Sequence, residues 1–338
     1  MSFQLEPRLA AIAGEKPYPR FSDAEIARRH AALLGAMQKM QVDHLLVCGE
    51  QRAGSGVGWL TGWPTTTEAI VIVSPDEKNL MFVEWYNHVP LARRIAQATD
   101  VKWAEHAAID KTIVELQRRG ARRVGFMGSL AWRKLKKLEG AFEALVEMNR
   151  EYMQLRLIKS PEELDWLRIA AAFSDASIEA LRRELIPGLT ERDLWDITER
   201  AYVPHGGMTG IHYFGVTSMH NPDCCVPRQF PENRTVQAGD VVFCELSASL
   251  WDYSGQILRT FTVAADATPL YRDLYATAEA AYDAIAAVLR AGTTAEQITE
   301  VSGVIEKAGF TTCDDIMHGY GGGYFPPILG SQSRPAGT

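Results

Sequence analysis

Hydrophobic residues in the first 150 positions follow two periods, one typical of helices and one typical of strands. A helical pattern covers residues 22–41 and begins at Ser22, a suitable N-cap. Further helical patterns cover residues 110–118 and 131–148. Short apolar runs bounded by Gly, Pro, Asp or Asn predict strands at HLLVC, AIVIV, NLMFVEW and RRVGFMG. This alternation of helices and strands predicts an α/β domain over residues 1–152.

The pattern changes near residue 153, where the run YMQLRLI predicts a strand before a strong helix start. Ser160, Pro161 and Glu163 have the residue types of an N-cap, a first helical position and a capping box. Apolar residues then recur every three or four positions and predict one packed helix face, formed by Leu164, Leu167, Ala171, Ser174, Ile178 and Leu181. Later helical patterns alternate with long apolar runs suited to antiparallel hairpins. Residues 153–338 are therefore predicted to form an α+β domain.

Composition narrows the classes of function. The chain has 338 residues, a formal net charge of −7 and a pI of about 5.7, which argues against nucleic acid as a partner. No apolar stretch reaches the ~18 residues expected of a membrane span, and the polar N-terminus lacks an apolar signal core. The five cysteines have no metal-binding spacing, so we expect a reducing, cytoplasmic compartment.

The most informative run of the chain is GDVVFCELSASLWDYSGQILRTF, residues 239–261. Two strand-like halves flank a turn, and a β-hairpin of this length would bring Glu245 and Gln256 side by side on one face. Two carboxylates there would form half of a dimetal site, because bridged cations need charged oxygen ligands. The chain has one carboxylate and one neutral amide at these positions. The run therefore predicts the geometry of a metal site with one negative charge fewer than two cations require.

This run resembles the corresponding hairpin of the creatinase, prolidase and aminopeptidase P family, whose metal enzymes read roughly D-x-G-x-x-x-x-G-Y-x-S-D-x-x-R-T-F. Tyr253 and the run Arg259-Thr260-Phe261 keep the frame, and Glu245 and Gln256 take the two Asp positions. Further segments that resemble the family are residues 42–73, 155–185 and 289–310. The resemblance implies a creatinase-type N-terminal domain, a pita-bread catalytic domain and a homodimer. It also implies further strands with two glutamate ligands, which the sequence lacks, and we expect the chain to be a fragment.

A second run, from His318 to Pro327, resembles the family's H-G-x-G-x-x-x-H-x-P-P. His318 matches the metal-binding histidine, whereas Phe325 stands where a second, proton-handling histidine is implied. A phenyl ring neither binds a cation through a lone pair nor transfers a proton. The alternative for His318 is a structural histidine whose ring is satisfied by backbone groups.

Glu245 also has two interpretations. It is either a structural carboxylate that pairs with Arg259 across the hairpin, or a general base or nucleophile whose pKa is raised by burial. The run CELSAS resembles the equivalent strand of the ectoine hydrolases, which are metal-independent relatives of creatinase. Together with His318, Glu245 is therefore predicted to be catalytic.

Candidates for substrate binding come from four segments. His220 lies in an H-N-P run like that of creatinase, but about eight extra residues before the hairpin leave Arg228 and His212 as competing candidates. Arg228 would favour an anionic substrate because its guanidinium binds carboxylates bidentately. Trp63, in a run that resembles the family's Y-L-T-G-F, lies before a loop that reaches the partner's site in creatinase-like dimers. Tyr253 and Gln256 of the hairpin and Phe325 of the second run complete the predicted pocket.

Three functions are compatible with these residues. The first is a C–N bond hydrolase for a small amino-acid-derived substrate, without a metal or other cofactor, because the resemblance implies that Glu245, Gln256 and His318 form an incomplete set of metal ligands. The second is an Xaa-Pro dipeptidase or aminopeptidase that depends on Mn²⁺ or a similar cation. The third is a binding scaffold without catalysis.

Overall fold

The computed structural model describes residues 3–15, 17–50, 56–321 and 323–334. The β-strands are β1 (His44–Gly49), β2 (Ala69–Val73), β3 (Asn79–Val83), β4 (Thr99–Trp103), β5 (Arg123–Met127), β6 (Ala144–Glu147), β7 (Met208–Ser218), β8 (Asp240–Leu250), β9 (Tyr253–Thr262), β10 (Met317–Tyr320) and β11 (Tyr324–Leu329). The α-helices are α1 (Pro7–Ala13), α2 (Asp23–Met40), α3 (Gly56–Thr61), α4 (Val89–Ile95), α5 (Ala108–Arg118), α6 (Trp132–Ala141), α7 (Asn149–Leu157), α8 (Pro161–Glu184), α9 (Glu191–Arg200), α10 (Pro269–Val288), α11 (Ala295–Val301) and α12 (Val304–Lys307). Within these residues, every helix is too short or too polar to cross a membrane.

The chain divides into two compact units. Residues Glu15–Leu164 form the N-terminal unit, and the described residues of Met1–Gly14 and Asp165–Thr338 form the C-terminal unit. The division falls inside α8, twelve residues beyond the predicted boundary after residue 152. The first helix groups with the later unit because Arg8 pairs with Asp165 through two hydrogen bonds, one of them 2.8 Å from Nη2 to Oδ1.

The N-terminal unit is built on a six-stranded mixed sheet with the order β4-β3-β2-β1-β5-β6. Strands β1, β2 and β3 are antiparallel neighbours, whereas β4, β5 and β6 join by parallel pairing. Every residue of β1, β2 and β3 is buried, because helices cover the sheet and leave no polar face. The predicted α/β architecture is confirmed, and α2 begins at Ser22, whose hydroxyl accepts from the backbone N–H of Glu25.

Two local predictions in this unit are wrong. The helix predicted over 131–148 ends at Ala141, and β6 then pairs in parallel with β5. The run YMQLRLI forms most of α7 instead of a strand, with Tyr152 and Arg156 buried one helical turn apart. In both places long-range packing decided between two local patterns of similar strength.

Helix α8 begins as predicted, but its buried face is rotated in the first half. The hydroxyl of Ser160 accepts from the backbone of Glu163, whose carboxylate accepts from the backbone of Ser160 at 2.8 Å. The predicted residues Leu164 and Ala171 are exposed. The buried side chains of this half are Trp166, Ile169, Ala170 and Phe173, and those of the second half include the predicted Ser174, Ile178 and Leu181.

The C-terminal unit carries a three-stranded antiparallel sheet, β7-β8-β9, and a separate hairpin, β10-β11. One face of the three-stranded sheet packs on α8 and α9 in a core that includes Ile178, Leu194, Phe214, Val242 and Leu246. Gly255 permits close packing here, because a Cβ atom at this position would lie 2.5 Å from the backbone of Ala171 in α8. The opposite face of the sheet is thereby left to carry polar side chains.

Candidate active site

The polar face of the three-stranded sheet is organised around Glu245. Tyr213 of β7 and Leu258 of β9 lie directly opposite Glu245, and Ser247 lies opposite Gln256. Because side chains alternate between the faces of a strand, Tyr213, Glu245, Ser247 and Gln256 share one face. The sheet therefore collects a carboxylate, an amide and two hydroxyls from three strands.

Glu245 and Gln256 are in direct contact. The amide Nε2 of Gln256 donates to Oε1 of Glu245 at 2.7 Å. The predicted common face is confirmed, but the pairing is diagonal, because the register sets Gln256 against Ser247. Arg259 lies opposite Cys244 and donates to the backbone carbonyl of Leu258, so the alternative of an ion pair with Glu245 is wrong.

The pKa of Glu245 is raised above the usual value of a glutamate. Burial is the largest cause, since the half-buried carboxylate loses hydration, and the negative charges of Asp314 and Asp315 act in the same direction. The hydrogen bond from Gln256 and the charge of His318 oppose this shift without cancelling it. A carboxylate with a raised pKa is a stronger base than an ordinary glutamate.

The hairpin β10-β11 supplies aromatic and imidazole groups beside this face, since β10 lies against β9. His318 contacts the ring of Tyr324 with centroids 4.2 Å apart, and its Nδ1 donates to the carbonyl of Gly319 at 3.1 Å. Tyr320 donates from its hydroxyl to Oγ of Ser247 at 3.1 Å. This last bond joins the hairpin to β8.

Phe325 and Tyr253 are buried packing residues in this arrangement. Phe325 lies opposite Gly319 in the β10-β11 hairpin, and Tyr253 packs edge-on against Trp166 with centroids 5.6 Å apart. Gly321 has φ +104 and lies next to Leu167, which explains the glycine in this turn. Its neighbour Gly322 lies outside the described residues.

The three competing candidates from the segment before β8, which are His212, His220 and Arg228, occupy different places. His212 lies opposite Leu246, on the other face of β7 from Tyr213, and its buried ring bonds the hydroxyl of Tyr202 at 2.7 Å. Burial lowers the pKa of His212 and keeps its ring neutral. His220 is exposed, and its backbone N–H donates to the hydroxyl of Ser218.

Arg228 is held by ion pairs. Its guanidinium contacts the fully buried carboxylate of Glu191 at 3.1 Å and the carboxylate of Glu232 at 2.9 Å. Its backbone N–H also donates to the carbonyl of Phe214 at the outer edge of β7. An anionic substrate at Arg228 would therefore compete with two carboxylates.

Trp63 belongs to the N-terminal unit. It is buried, and its ring lies 6.4 Å from that of His88. Nearby, Thr65 donates to the carbonyl of Glu50 at 3.0 Å. These contacts give Trp63 a packing role within its own unit, and the predicted role in a partner's site stays a prediction.

The dimetal centre implied by the family resemblance needs several charged donors that converge. The described residues contain no cluster of three or more His, Cys, Asp or Glu that could hold a metal ion. At the position of the second carboxylate, Gln256 directs an N–H at Glu245, where a cation would need a lone pair. The donor set of the described residues does not fit two divalent cations.

The sequence missed several residues that the fold brings to the site: Tyr213, Ser247, Asp314, Asp315, Tyr320 and Tyr324. The signal for Ser247 was available, because it lies two residues after Glu245 on the same strand. The place of Tyr213 depends on the register between β7 and β8, which no local pattern gives. Asp314 and Asp315 lie in a loop that no local pattern connects with β8.

Comparison with known proteins identifies the class. The model of metallopeptidase family M24 matches residues 165–331, and that of the creatinase/prolidase N-terminal domain matches residues 29–158. The chain belongs to the M24 family and is a hydrolase of that family, with a creatinase-type N-terminal domain and a pita-bread catalytic domain. The resemblance predicted from the two motifs is confirmed.

Individual relatives are distant. An uncharacterized hydrolase/peptidase, y4tL of Sinorhizobium fredii, is 23% identical over 322 residues, which cover 89% of this chain and 81% of the relative. The X-Pro aminopeptidase from Thermotoga maritima has a TM-score of 0.79 at 16% identity, with 91% of this chain and 86% of that chain covered. The dipeptidase PepE from Mycobacterium ulcerans has a TM-score of 0.74 at 21% identity, with coverage of 93% and 85%. At these identities the structures support the fold alone.

Proposed function

We propose that the chain hydrolyses a C–N bond in a small amino-acid-derived substrate, with Glu245 as the general base and without a dimetal centre. The hydrogen bond from Gln256 to Glu245, 2.7 Å long, carries this proposal. It replaces a carboxylate pair, which would need cations, by a carboxylate and an amide that satisfy each other. One negative charge therefore stands where a carboxylate pair would carry two, which weakens the need for cations at this position.

Glu245 would activate water. Gln256 fixes Oε1, so the other carboxylate oxygen is the one that accepts the proton of a water molecule as its oxygen attacks the substrate carbon. The raised pKa of Glu245 brings its basicity closer to neutral pH, where proton transfer from water is more favourable. Burial therefore supports the role that the sequence assigned to this residue.

His318 would protonate the leaving nitrogen. Since its Nδ1 donates to the carbonyl of Gly319, Nε2 is the ring nitrogen that exchanges a proton with the substrate. Contact with Tyr324 fixes the plane of the ring. The C–N bond breaks as nitrogen receives this proton, and the carbon keeps the oxygen delivered by water.

Substrate would lie over the polar face, between the β7-β8-β9 sheet and the β10-β11 hairpin. Tyr213 and Tyr320 offer hydroxyls there, in addition to the predicted Gln256. His220, Arg228, Tyr253, Phe325 and Trp63 stay predictions for substrate contact. A homodimer and a cytoplasmic location likewise stay expectations.

Metal content is the first test. The protein would be produced without added metal, analysed for bound elements, incubated with Mn²⁺ and analysed again. We expect no stoichiometric metal at either stage, and chelator-resistant turnover of a guanidino, cyclic amidine or N-acyl amino acid. Gln256→Asp, which provides a second carboxylate, is the matched variant and should increase Mn²⁺ uptake.

Stoichiometric Mn, Fe, Co or Zn in the unmodified protein, with turnover abolished by chelator, would overturn the proposal. It would favour the second candidate, a metal-dependent Xaa-Pro dipeptidase or aminopeptidase, a class whose solved members share the fold of this chain. Binding of these compounds without turnover would instead support a non-catalytic scaffold, which the phenyl ring of Phe325 in place of an imidazole favours.

A further inference from the structure

Two of the five cysteines face each other in the C-terminal unit. Sγ of Cys225 lies 3.4 Å from Sγ of Cys313, although 88 positions separate them in the sequence. Both residues are exposed, whereas Cys48 and Cys244 are buried. The two thiols are therefore in van der Waals contact and within reach of solvent reagents.

Independent contacts hold the two segments that carry these thiols. Cys225 lies between β7 and β8, where the backbone N–H of Asp223 donates to Thr217 at 2.9 Å and that of Arg228 donates to Phe214 at 2.7 Å. Cys313 lies between α12 and β10, and the hydroxyl of the nearby Thr311 bonds that of Ser333 at 2.9 Å. Contacts other than the thiols themselves therefore set this juxtaposition.

We propose that Cys225 and Cys313 are a redox modification site that closes to a reversible disulfide when a peroxide or a low-molecular-weight disulfide oxidises it. A disulfide requires an S–S distance of about 2.05 Å, so the sulfurs must approach by roughly 1.4 Å. Rotation of two exposed side chains can supply a movement of that size. Between exposed thiols, no buried group has to move for the bond to form.

The chemical step balances with hydrogen peroxide as the oxidant. One thiol loses its proton, and the thiolate attacks a peroxide oxygen and becomes a sulfenic acid; the leaving hydroxide takes up that proton and becomes water. The second thiol attacks that sulfur, loses its proton, and expels a second water as the S–S bond forms. Two electrons and two protons leave the cysteines, and thiol-disulfide exchange restores them.

The surroundings distinguish the five thiols. A hydrogen bond with Cys225 and partial burial raise the pKa of Cys313 and keep its proton in place, so Cys225 is the sulfur expected to react first. Burial raises the pKa of Cys244 to about 12 and also raises that of Cys48. Cys224, next to Cys225, has a pKa raised mainly by burial.

A closed disulfide would join the segment of His220 and Arg228 to the loop of Asp314. Since the charge of Asp314 raises the pKa of Glu245, fixing this loop would change the pH profile of turnover. That consequence rests on the proposed function, whereas formation of the disulfide does not. The chemical test below therefore separates the two.

The test is non-reducing peptide mapping of the full chain after treatment with hydrogen peroxide. Trypsin cuts after Arg228 and after Lys307, so the two cysteines fall in different peptides. We expect a loss of two titratable thiols, one cross-linked peptide pair that dithiothreitol separates, and unchanged mobility as a single chain. Retention of all five thiols, or bonds only between chains, would overturn the proposal.

Single variants assign the sulfurs. Cys224→Ser should keep the cross-link, and Cys225→Ser and Cys313→Ser should each abolish it. All three would be compared with the parent by circular dichroism, so that a folding defect is recognised; if one variant misfolds, tandem mass spectrometry of the parent's linked peptides identifies the bonded cysteines. A cross-link that survives in Cys225→Ser, through Cys224, would refute the assignment.

Discussion

One glutamate in each unit is shielded from solvent, Glu25 being buried and Glu245 half-buried, and the two have opposite kinds of partner. In the N-terminal unit, Glu25 contacts the fully buried Arg29 at 2.7 Å, and the carboxylate of Glu163 lies 3.3 Å from the same guanidinium. In the C-terminal unit, Glu245 has the neutral amide of Gln256. A buried carboxylate that is fully paired with cations is structural, whereas one with a neutral partner keeps its basicity.

The pKa values follow the same division. Burial opposes ionisation of Glu25, but hydrogen bonds and charges from Arg28 and Arg29 outweigh it and lower the pKa. Burial of Glu245 is offset only in part, by Gln256 and His318, and raises the pKa. Arg29 also stacks on Phe21, with its guanidinium carbon 4.0 Å from the ring centroid, and donates to the carbonyl of Trp59. The same substitution in the two units should therefore have different effects.

Glu245→Gln should have the largest effect, on turnover. Loss of the base is expected to lower kcat by about 100- to 10,000-fold, while the thermal midpoint changes little because an amide still fits beside Gln256. Steady-state kinetics checks the expected fall in kcat, and a melting curve on the same preparation checks that the thermal midpoint is unchanged. Retained activity would remove Glu245 from the mechanism, and gross unfolding would make it structural like Glu25.

Glu25→Gln should have the second largest effect, which is a loss of stability of the folded state. Removing one carboxylate leaves Arg29 buried with less than its full counter-charge, which costs about 3–5 kcal/mol when a buried pair is broken. Urea unfolding measures this loss, and kcat of the variant should match that of the parent wherever both are folded. Because the folded pKa of Glu25 is lowered, its contribution is present above the unfolded pKa and is lost as pH falls through the folded pKa. An unchanged urea midpoint would contradict the pairing.

Asp314→Asn should have a moderate effect, on the pH profile. If Glu245 must be ionised, kcat/KM falls on the acidic side, with a midpoint above the usual pKa of a glutamate. Removing the charge of Asp314 should lower the pKa of Glu245 and move this acidic limb to lower pH, and Asp315→Asn should move it in the same direction. Gln256→Glu adds a like charge and should move the limb to higher pH. If the midpoint of the acidic limb stays the same in all three variants, the group that titrates is not Glu245.

These comparisons also separate what sequence could predict from what it could not. The common face of Glu245 and Gln256 follows from the period of two in a hairpin. Their diagonal offset depends on the turn, since Leu250 pairs with Tyr253 across a two-residue turn in which Trp251 has φ 52. If the turn moves by one residue, each residue of β8 pairs with a residue of β9 two positions away from its present partner. The apolar pattern does not locate a turn to within one residue.

Contacts between distant segments were beyond local patterns. Tyr320 and Ser247 are 73 residues apart, and Cys225 and Cys313 are 88 apart. The identity of β6 and α7 was likewise decided by pairing with β5 and by burial of Tyr152 and Arg156. Capping, by contrast, was predictable at Ser22 and Ser160, because the residues that make these hydrogen bonds are only three positions apart.

Arg182→Gln should have the smallest effect and calibrates the comparison. Arg182 donates to Glu179 at 2.9 Å, one helical turn away on α8, and this pair has the same chemistry as Arg29 with Glu25. Both side chains are exposed, so water and salt replace the interaction when it is removed. We expect no measurable change in the urea midpoint or in kcat. A loss as large as that of Glu25→Gln would mean that burial is not what distinguishes the structural ion pair, and the contrast between the two glutamates would lose its basis.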